Sequence, residues 1–170
     1  MSLSILIAYV TKYGSTQEVA EAVAAALRES GQTVVVRPLR DVKSLDGFDA
    51  VIVGAALYMY HLNKDALRFL SRHRRELGAR PVAVFALGPV RDPHDEEEWR
   101  NSGDQLQKAL DELPGFKPVA VRLFGGRFDP RLLSFPMNKF AGSEPATDIR
   151  DWDAIRDWAA GLVDQLQPGG

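Results

Sequence analysis

The chain has 170 residues and no cysteine, and it balances 21 Lys and Arg against 23 Asp and Glu for a formal net charge of −2. That length suits one domain, the near-neutral charge excludes a protein-wide nucleic-acid footprint, and the missing cysteines exclude disulfides, thiolate nucleophiles and Cys-ligated zinc or iron–sulfur centres. Hydrophobic residues at 45% suffice for a packed core. No apolar run reaches the roughly 18 residues of a membrane span and the start lacks a basic region followed by a cleavage site, so a soluble cytoplasmic protein is expected.

Apolar runs recur along the chain at residues 3–9, 33–36, 50–53, 81–87 and 118–124. They are nearly continuous rather than alternating, the pattern of strands covered on both faces. After the first, Val19, Ala20, Val23, Ala24 and Leu27 repeat at helical spacing; Ser15 and Glu18 form a capping box and Gly31 a stop. The stretch from Asp41 to Leu45 is too short for more than a turn or two, so the second crossover is abbreviated. A third helical segment runs from Asn63 to about Leu77, with Gly78 after it. A fourth starts near Asp92 and Pro93, carries Asp95, Glu96, Glu97 and Glu98 against its positive end, and reaches Glu112. The last begins at Asp151, with Trp152, Ile155, Trp158, Ala159, Leu162 and Val163 on one stripe, both tryptophans being core residues.

Strand alternating with helix predicts an α/β fold with a doubly wound five-stranded parallel sheet in the order 2-1-3-4-5. The whole chain, 1–170, reads as a single domain with an insertion at 125–150. Ligands bind such sheets outside the carboxyl ends of the first and third strands, which directs attention to three loops.

Thr11-Lys12-Tyr13-Gly14-Ser15-Thr16 leads from the first strand straight into a helix. A helix start offers unpaired N–H groups and the positive dipole end, the hydroxyls of Thr11, Ser15 and Thr16 add donors, and Gly14 lets the turn close, so the loop reads equally as a phosphate cradle or as an ordinary turn capped by Ser15. The triphosphate loop and the dinucleotide glycine pattern are both absent, which favours a monophosphate. Lys12 is expected to point to solvent. Gly54-Ala55-Ala56-Leu57-Tyr58-Met59-Tyr60-His61 ends the third strand and Leu87-Gly88-Pro89-Val90 the fourth. The first of these is apolar and aromatic and suits a planar ring, with Tyr stacking and Met touching ring edges.

These three loops resemble the phosphate loop and the two isoalloxazine loops of the flavodoxin family, and the resemblance extends over nearly the whole chain. Within that family, the run from Val51 to His61 entering a helix, the run from Phe124 to Arg131, and Thr147-Asp148-Ile149-Arg150-Asp151-Trp152 resemble the menaquinone-dependent protoporphyrinogen IX dehydrogenase type. The resemblance implies FMN, with Thr11 to Thr16 on its phosphate and Ala56, Leu57, Tyr58, Met59, Tyr60, Leu87, Gly88, Pro89 and Val90 flanking the ring. Tyr13 stands where the family often has a small hydroxyl residue.

The resemblance also implies a peptide near flavin N5 that flips on reduction. No glycine follows Gly54 in this loop, and Leu57, Tyr58 and Met59 are each expected to resist a positive φ by ~1 kcal/mol or more, leaving the semiquinone weakly stabilised and two-electron chemistry favoured. The flavin then carries the chemistry, with Tyr58, Tyr60 and His61 as candidates for donating a proton or positioning substrate. A second reading is a carrier that passes electrons to a redox protein partner.

The 125–150 stretch mixes Phe128, Leu132, Leu133, Phe135, Met137 and Phe140 with Arg127, Arg131 and Lys139. It reads as a lid on the flavin, a binder of a hydrophobic acidic substrate such as a porphyrin, a weak contact with an anionic membrane surface, or a plain cover over the sheet edge, and the partner expected overall is a hydrophobic or quinone-type small molecule. Arg68, Arg72, Arg74, Arg75 and Arg80 with His73 form a basic run expected to be a solvated helix face. His61, His73 and His94 lie too far apart in sequence for a metal site, no nucleophile elbow is present, and the strand ends lack the acidic groups of a magnesium-binding receiver.

Overall fold

The computed structural model describes residues 2–134, 136–141 and 143–168, so Phe135 of the apolar set above lies outside the described residues. The apolar runs become β1 (Ser4–Tyr9), β2 (Thr33–Pro38), β3 (Ala50–Tyr58), β5 (Val82–Leu87) and β6 (Ala120–Phe124), paired in parallel in the order β2-β1-β3-β5-β6. Set apart from β4 (His61–Leu62), which pairs antiparallel with the end of β3, this is the 2-1-3-4-5 order. Alternate residues of β1 show why its run is continuous: Ile5, Ile7 and Tyr9 pack on one side with α1 (Ser15–Glu29) and α6 (Trp152–Gln165), while Leu6 and Ala8 pack on the other with α2 (Lys64–Arg72), α3 (Arg74–Gly78) and α4 (Glu96–Asp111).

The helix ends follow their chemistry. Asn63, Asp95 and Asp151 cap α2, α4 and α6 through side-chain oxygens that accept backbone N–H groups. At the end of α1, Gly31 at φ 88 lets the Gln32 N–H reach the Leu27 carbonyl and its own N–H reach that of Arg28, a Schellman closure. Trp152 and Trp158 are half-buried against the core, with Trp158 edge-on to Phe85 and Phe124 at 6.1 and 5.6 Å.

Several expectations change. Ser15 is the first residue of α1 rather than its cap, which is Gly14 at φ 91, and no side chain caps the helix; Glu18 is drawn instead to two distant arginines. The second crossover is a single 3₁₀ turn over Leu39–Asp41, earlier than expected. The third helical segment breaks at His73, whose ring turns inward against Phe69 at 4.6 Å and lies 3.3 Å from Glu76. The fourth helix begins at Glu96 because Asp95 is its cap, while Asp92 accepts the His94 N–H in the preceding turn.

The basic run is not one solvated face either. His73 is buried, and Arg80 donates to the carbonyls of Leu45, Phe48 and Glu76, tying the β2–β3 connection to α3. Arg68, Arg72, Arg74 and Arg75 do stay exposed as expected, and Arg68 and Arg72 with Arg40 line a second cleft of about 380 Å³ beside the ends of β1 and β2.

The 125–150 stretch folds back on itself. It contains β7 (Arg127–Phe128), a 3₁₀ turn at Pro130–Leu132, α5 (Met137–Ala141) and β8 (Thr147–Asp148), with β7 and β8 paired antiparallel. Arg150 forks onto Asp148 with Nε at 2.9 Å and Nη2 at 2.7 Å, and this hydrogen bond, more than any other influence, holds the Asp148 carboxyl below its usual range. A carboxylate whose pKa falls on folding stabilises the fold above its unfolded value and loses that contribution as pH drops through the folded value. The β7–β8 pairing should therefore be unaffected from neutral pH to about pH 4 and loosen only below it. A carboxyl-carbon NMR titration of Asp148 should give a midpoint under 3.8, returning toward that value in Arg150→Ala.

Candidate cofactor site

A cleft of about 720 Å³ lies where β1 and β3 lead in opposite directions across the sheet. Residues 11–13, 15 and 16 from the loop after β1, 56–60 from the end of β3, and 87–90 after β5 all line it, so of the cofactor-binding candidates named from the sequence only Gly14 is not among its lining residues. Gly14 contributes backbone to the same loop. Lys12 is exposed as expected, with Nζ 5.3 Å from the Tyr13 ring centroid at the cleft's rim. His61 does not border the cleft; it sits exposed on β4, across the ladder from Tyr58.

At one end of the cleft, the Gly14 N–H donates to Thr11 Oγ1 at 2.8 Å and curls the loop into a cup. Because no side chain caps α1, the N–H groups of its first turn are left to the cleft that Ser15 and Thr16 border. The other helices of eight or more residues all have side-chain caps. An anion with several acceptor oxygens satisfies such a cup, and the residues present fit a phosphate.

At the other end, β3 does not stop at Val53 but continues to Tyr58 and turns back through Met59 and Tyr60 into β4. Met59 and Tyr60 have φ of 49° and 66°. Two-residue hairpins prefer positive φ at both central positions, because that twist matches the flanking strands. Met59 thus adopts the conformation it was expected to resist, and the Tyr58–His61 and Leu57–Leu62 pairs overcome a local cost of about 1–2 kcal/mol per residue. The turn leaves Tyr58, Met59 and Tyr60 exposed at 59%, 75% and 47%, a flat aromatic and thioether surface over the cleft.

The third wall is the 125–150 stretch. Phe128, Leu132, Leu133, Met137 and Phe140 line the cleft. Gly126 donates to the Pro89 carbonyl at 2.8 Å, and Arg91 pairs with Glu144, fixing this wall to the loop after β5. Arg127 reaches across to the loop after β1 and the start of α1, donating to the Tyr13 carbonyl at 2.9 Å and pairing with Glu18 at 3.0 Å. Neither the Glu18 contact nor the lining role of Arg127 has a local signature, since more than a hundred residues separate the partners.

The Flavodoxin domain family matches residues 6–139. The chain belongs to the flavodoxin family. Flavodoxin architecture is also what comparison of structures returns: a short-chain flavodoxin associated with a bacterial microcompartment superimposes with a TM-score of 0.62 at 18% identity, over 97% of this chain and 99% of that one. The oxidised flavodoxin 1 of Bacillus cereus gives 0.58 at 18% identity, over 96% and 99%. In sequence, the chain is 26% identical to the protoporphyrinogen IX dehydrogenase [quinone] of Escherichia coli K12, over 92% of this chain and 93% of that protein. As a flavodoxin-family protein it takes FMN as cofactor. No helix among the described residues is long and apolar enough to cross a membrane, and no group of three or more metal-binding side chains occurs among them.

Proposed function

We propose that this flavodoxin-family protein is a cytoplasmic, single-domain FMN oxidoreductase that takes electrons from a flat, hydrophobic organic substrate of the porphyrinogen class and passes them to a quinone-type acceptor. The observation that carries this reading is the apolar mouth of the cleft. Tyr58, Met59 and Tyr60 on one side face a wall that includes Leu132, Met137 and Phe140 on the other, the last exposed at 78%. So much exposed apolar surface beside a cofactor cleft supports a small-molecule partner that covers it. The similarity to the E. coli dehydrogenase supports the same substrate class.

In this reading the first turn of α1, with the hydroxyls of Thr11, Ser15 and Thr16, binds the phosphate of FMN. The 56–60 and 87–90 segments orient the ring and exclude water from it. FMN supplies hydride and electron transfer when bound. Tyr58 and Tyr60 offer phenolic protons at the substrate's side of the cleft, whereas His61 stands outside it.

The test is the visible spectrum of the purified protein after FMN addition and desalting, followed by anaerobic reduction and then by assay with a porphyrinogen and a quinone. Retained flavin absorbance and quinone-dependent porphyrinogen oxidation are expected. Bleaching in two resolved one-electron steps with no porphyrinogen turnover would favour the electron-carrier reading, and absence of retained FMN would reject both.

A further inference from the structure

An anion sits beside the phosphate end of the cleft without lining it. Glu18 lies in the first turn of α1, and its carboxylate meets Arg127 at 3.0 Å and Arg150 at 3.3 Å. A bare carboxylate beside a phosphate cradle would repel its ligand, so the two cations that the 125–150 stretch brings to Glu18 remove a conflict that the helix alone would create.

The two arginines are differently engaged. Arg150 has a side chain only 4% exposed; it forks onto Asp148, donates to the Ser15 carbonyl and lies 4.7 Å over the Trp152 ring, which makes it a structural rivet. Arg127 is 27% exposed, borders the cleft, and has Nη2 only 3.8 Å from where a side chain on Gly14 would begin. Its hydrogen bond to Tyr13 holds it against the phosphate loop. A guanidinium has five N–H donors in a fork suited to phosphate, and those not spent on Tyr13 and Glu18 remain for a ligand.

From this placement we propose that Arg127 is a specificity residue for the cofactor: it contacts the phosphate of FMN and makes the site prefer FMN over riboflavin, with Glu18 holding the guanidinium in position before the cofactor arrives. The proposal rests on the FMN reading and adds to it that the 125–150 stretch supplies part of the cofactor site.

The experiment titrates FMN and riboflavin into the apoprotein, followed by quenching of flavin fluorescence, at low and high salt, for the wild type, Arg127→Gln and Arg127→Lys. The expected result is a wild-type preference for FMN that shrinks with salt. Arg127→Gln should weaken FMN binding by about 10- to 100-fold, the range for losing a charged hydrogen bond, and change riboflavin binding by less than about twofold. Arg127→Lys, with charge but no fork, should fall between. A parallel loss of both flavins in Arg127→Gln would make Arg127 a loop support and overturn the proposal, as would no change in either. If Arg127→Gln does not fold by circular dichroism, Arg127→Lys and the wild-type salt dependence decide: an FMN preference unmoved by both overturns it. A wild type that binds the two flavins equally overturns this proposal alone, and one that binds neither overturns the cofactor reading with it.

Discussion

Gly54→Ala should destabilise the protein by about 3 kcal/mol, at the upper end of what overpacking a core usually costs. Gly54 lies in the middle of β3, paired with Tyr9 on one side and Phe85 on the other. A methyl group there would sit 2.1 Å from Cζ of Phe85 and under 3 Å from two further ring atoms. The ring has nowhere to retreat, since Phe85 is fully buried and wedged edge-on against Trp158, with Phe124 beside it at 6.3 Å. For a chain of this length the melting temperature should drop by about 6–12 °C. Urea denaturation measures the loss directly, and a change under about 0.5 kcal/mol would contradict the packing described. In Gly54→Ala/Phe85→Leu the two costs should be less than additive, because the smaller side chain vacates the space the methyl needs.

Gly14→Asp should abolish FMN retention while leaving the circular dichroism spectrum intact. Gly14 is at φ 91, where an L residue is strained, and it stands outside both β1 and α1, so the sheet and helix do not depend on its side chain. The new side chain would begin 3.8 Å from Nη2 of Arg127 and place a fixed negative charge at the cup. Repulsion and occupancy together should weaken FMN binding by at least about 100-fold, roughly 2.7 kcal/mol, while Gly14→Ala, which adds strain without charge, should lose about tenfold or less. Equilibrium dialysis against FMN measures both variants; retention of FMN by Gly14→Asp would refute the phosphate assignment of this loop.

Much of this architecture was written in local signals. Runs such as residues 3–9 and 81–87 are continuous because both faces of the sheet are covered, so five strands and their order were legible from the sequence. The three loops were legible because loops at the carboxyl ends of a parallel sheet must converge. What was hidden had either no periodicity or no proximity. A two-residue strand such as β4 has no pattern to detect, and a Met–Tyr turn lacks the Asn or Gly that usually advertises positive φ. Ser15 followed by Glu18 carries the signature of a capping box, but the signature is silent about Arg127 and Arg150, which claim Glu18 from the far end of the chain. The break at His73 follows from an inward-facing ring, a tertiary demand that overrides helical spacing.

The packing of α6 on α1 sets an order for biosynthesis. Ile155, Ala159 and Leu162 of the last helix are fully buried in the same cluster as Val19, Val23 and Leu27 of the first. A nascent chain emerging N-terminus first can pair β1, β2 and β3 long before residues 152–165 exist to cover one side of them. That side of the sheet waits for α6, and the loop after β1 gains its contacts with Arg127 and Arg150 only after β6 has been made. A ribosome stalled before residue 127 would therefore hold a chain whose apolar layer on that side of the sheet is still bare to the chaperones waiting at the exit tunnel.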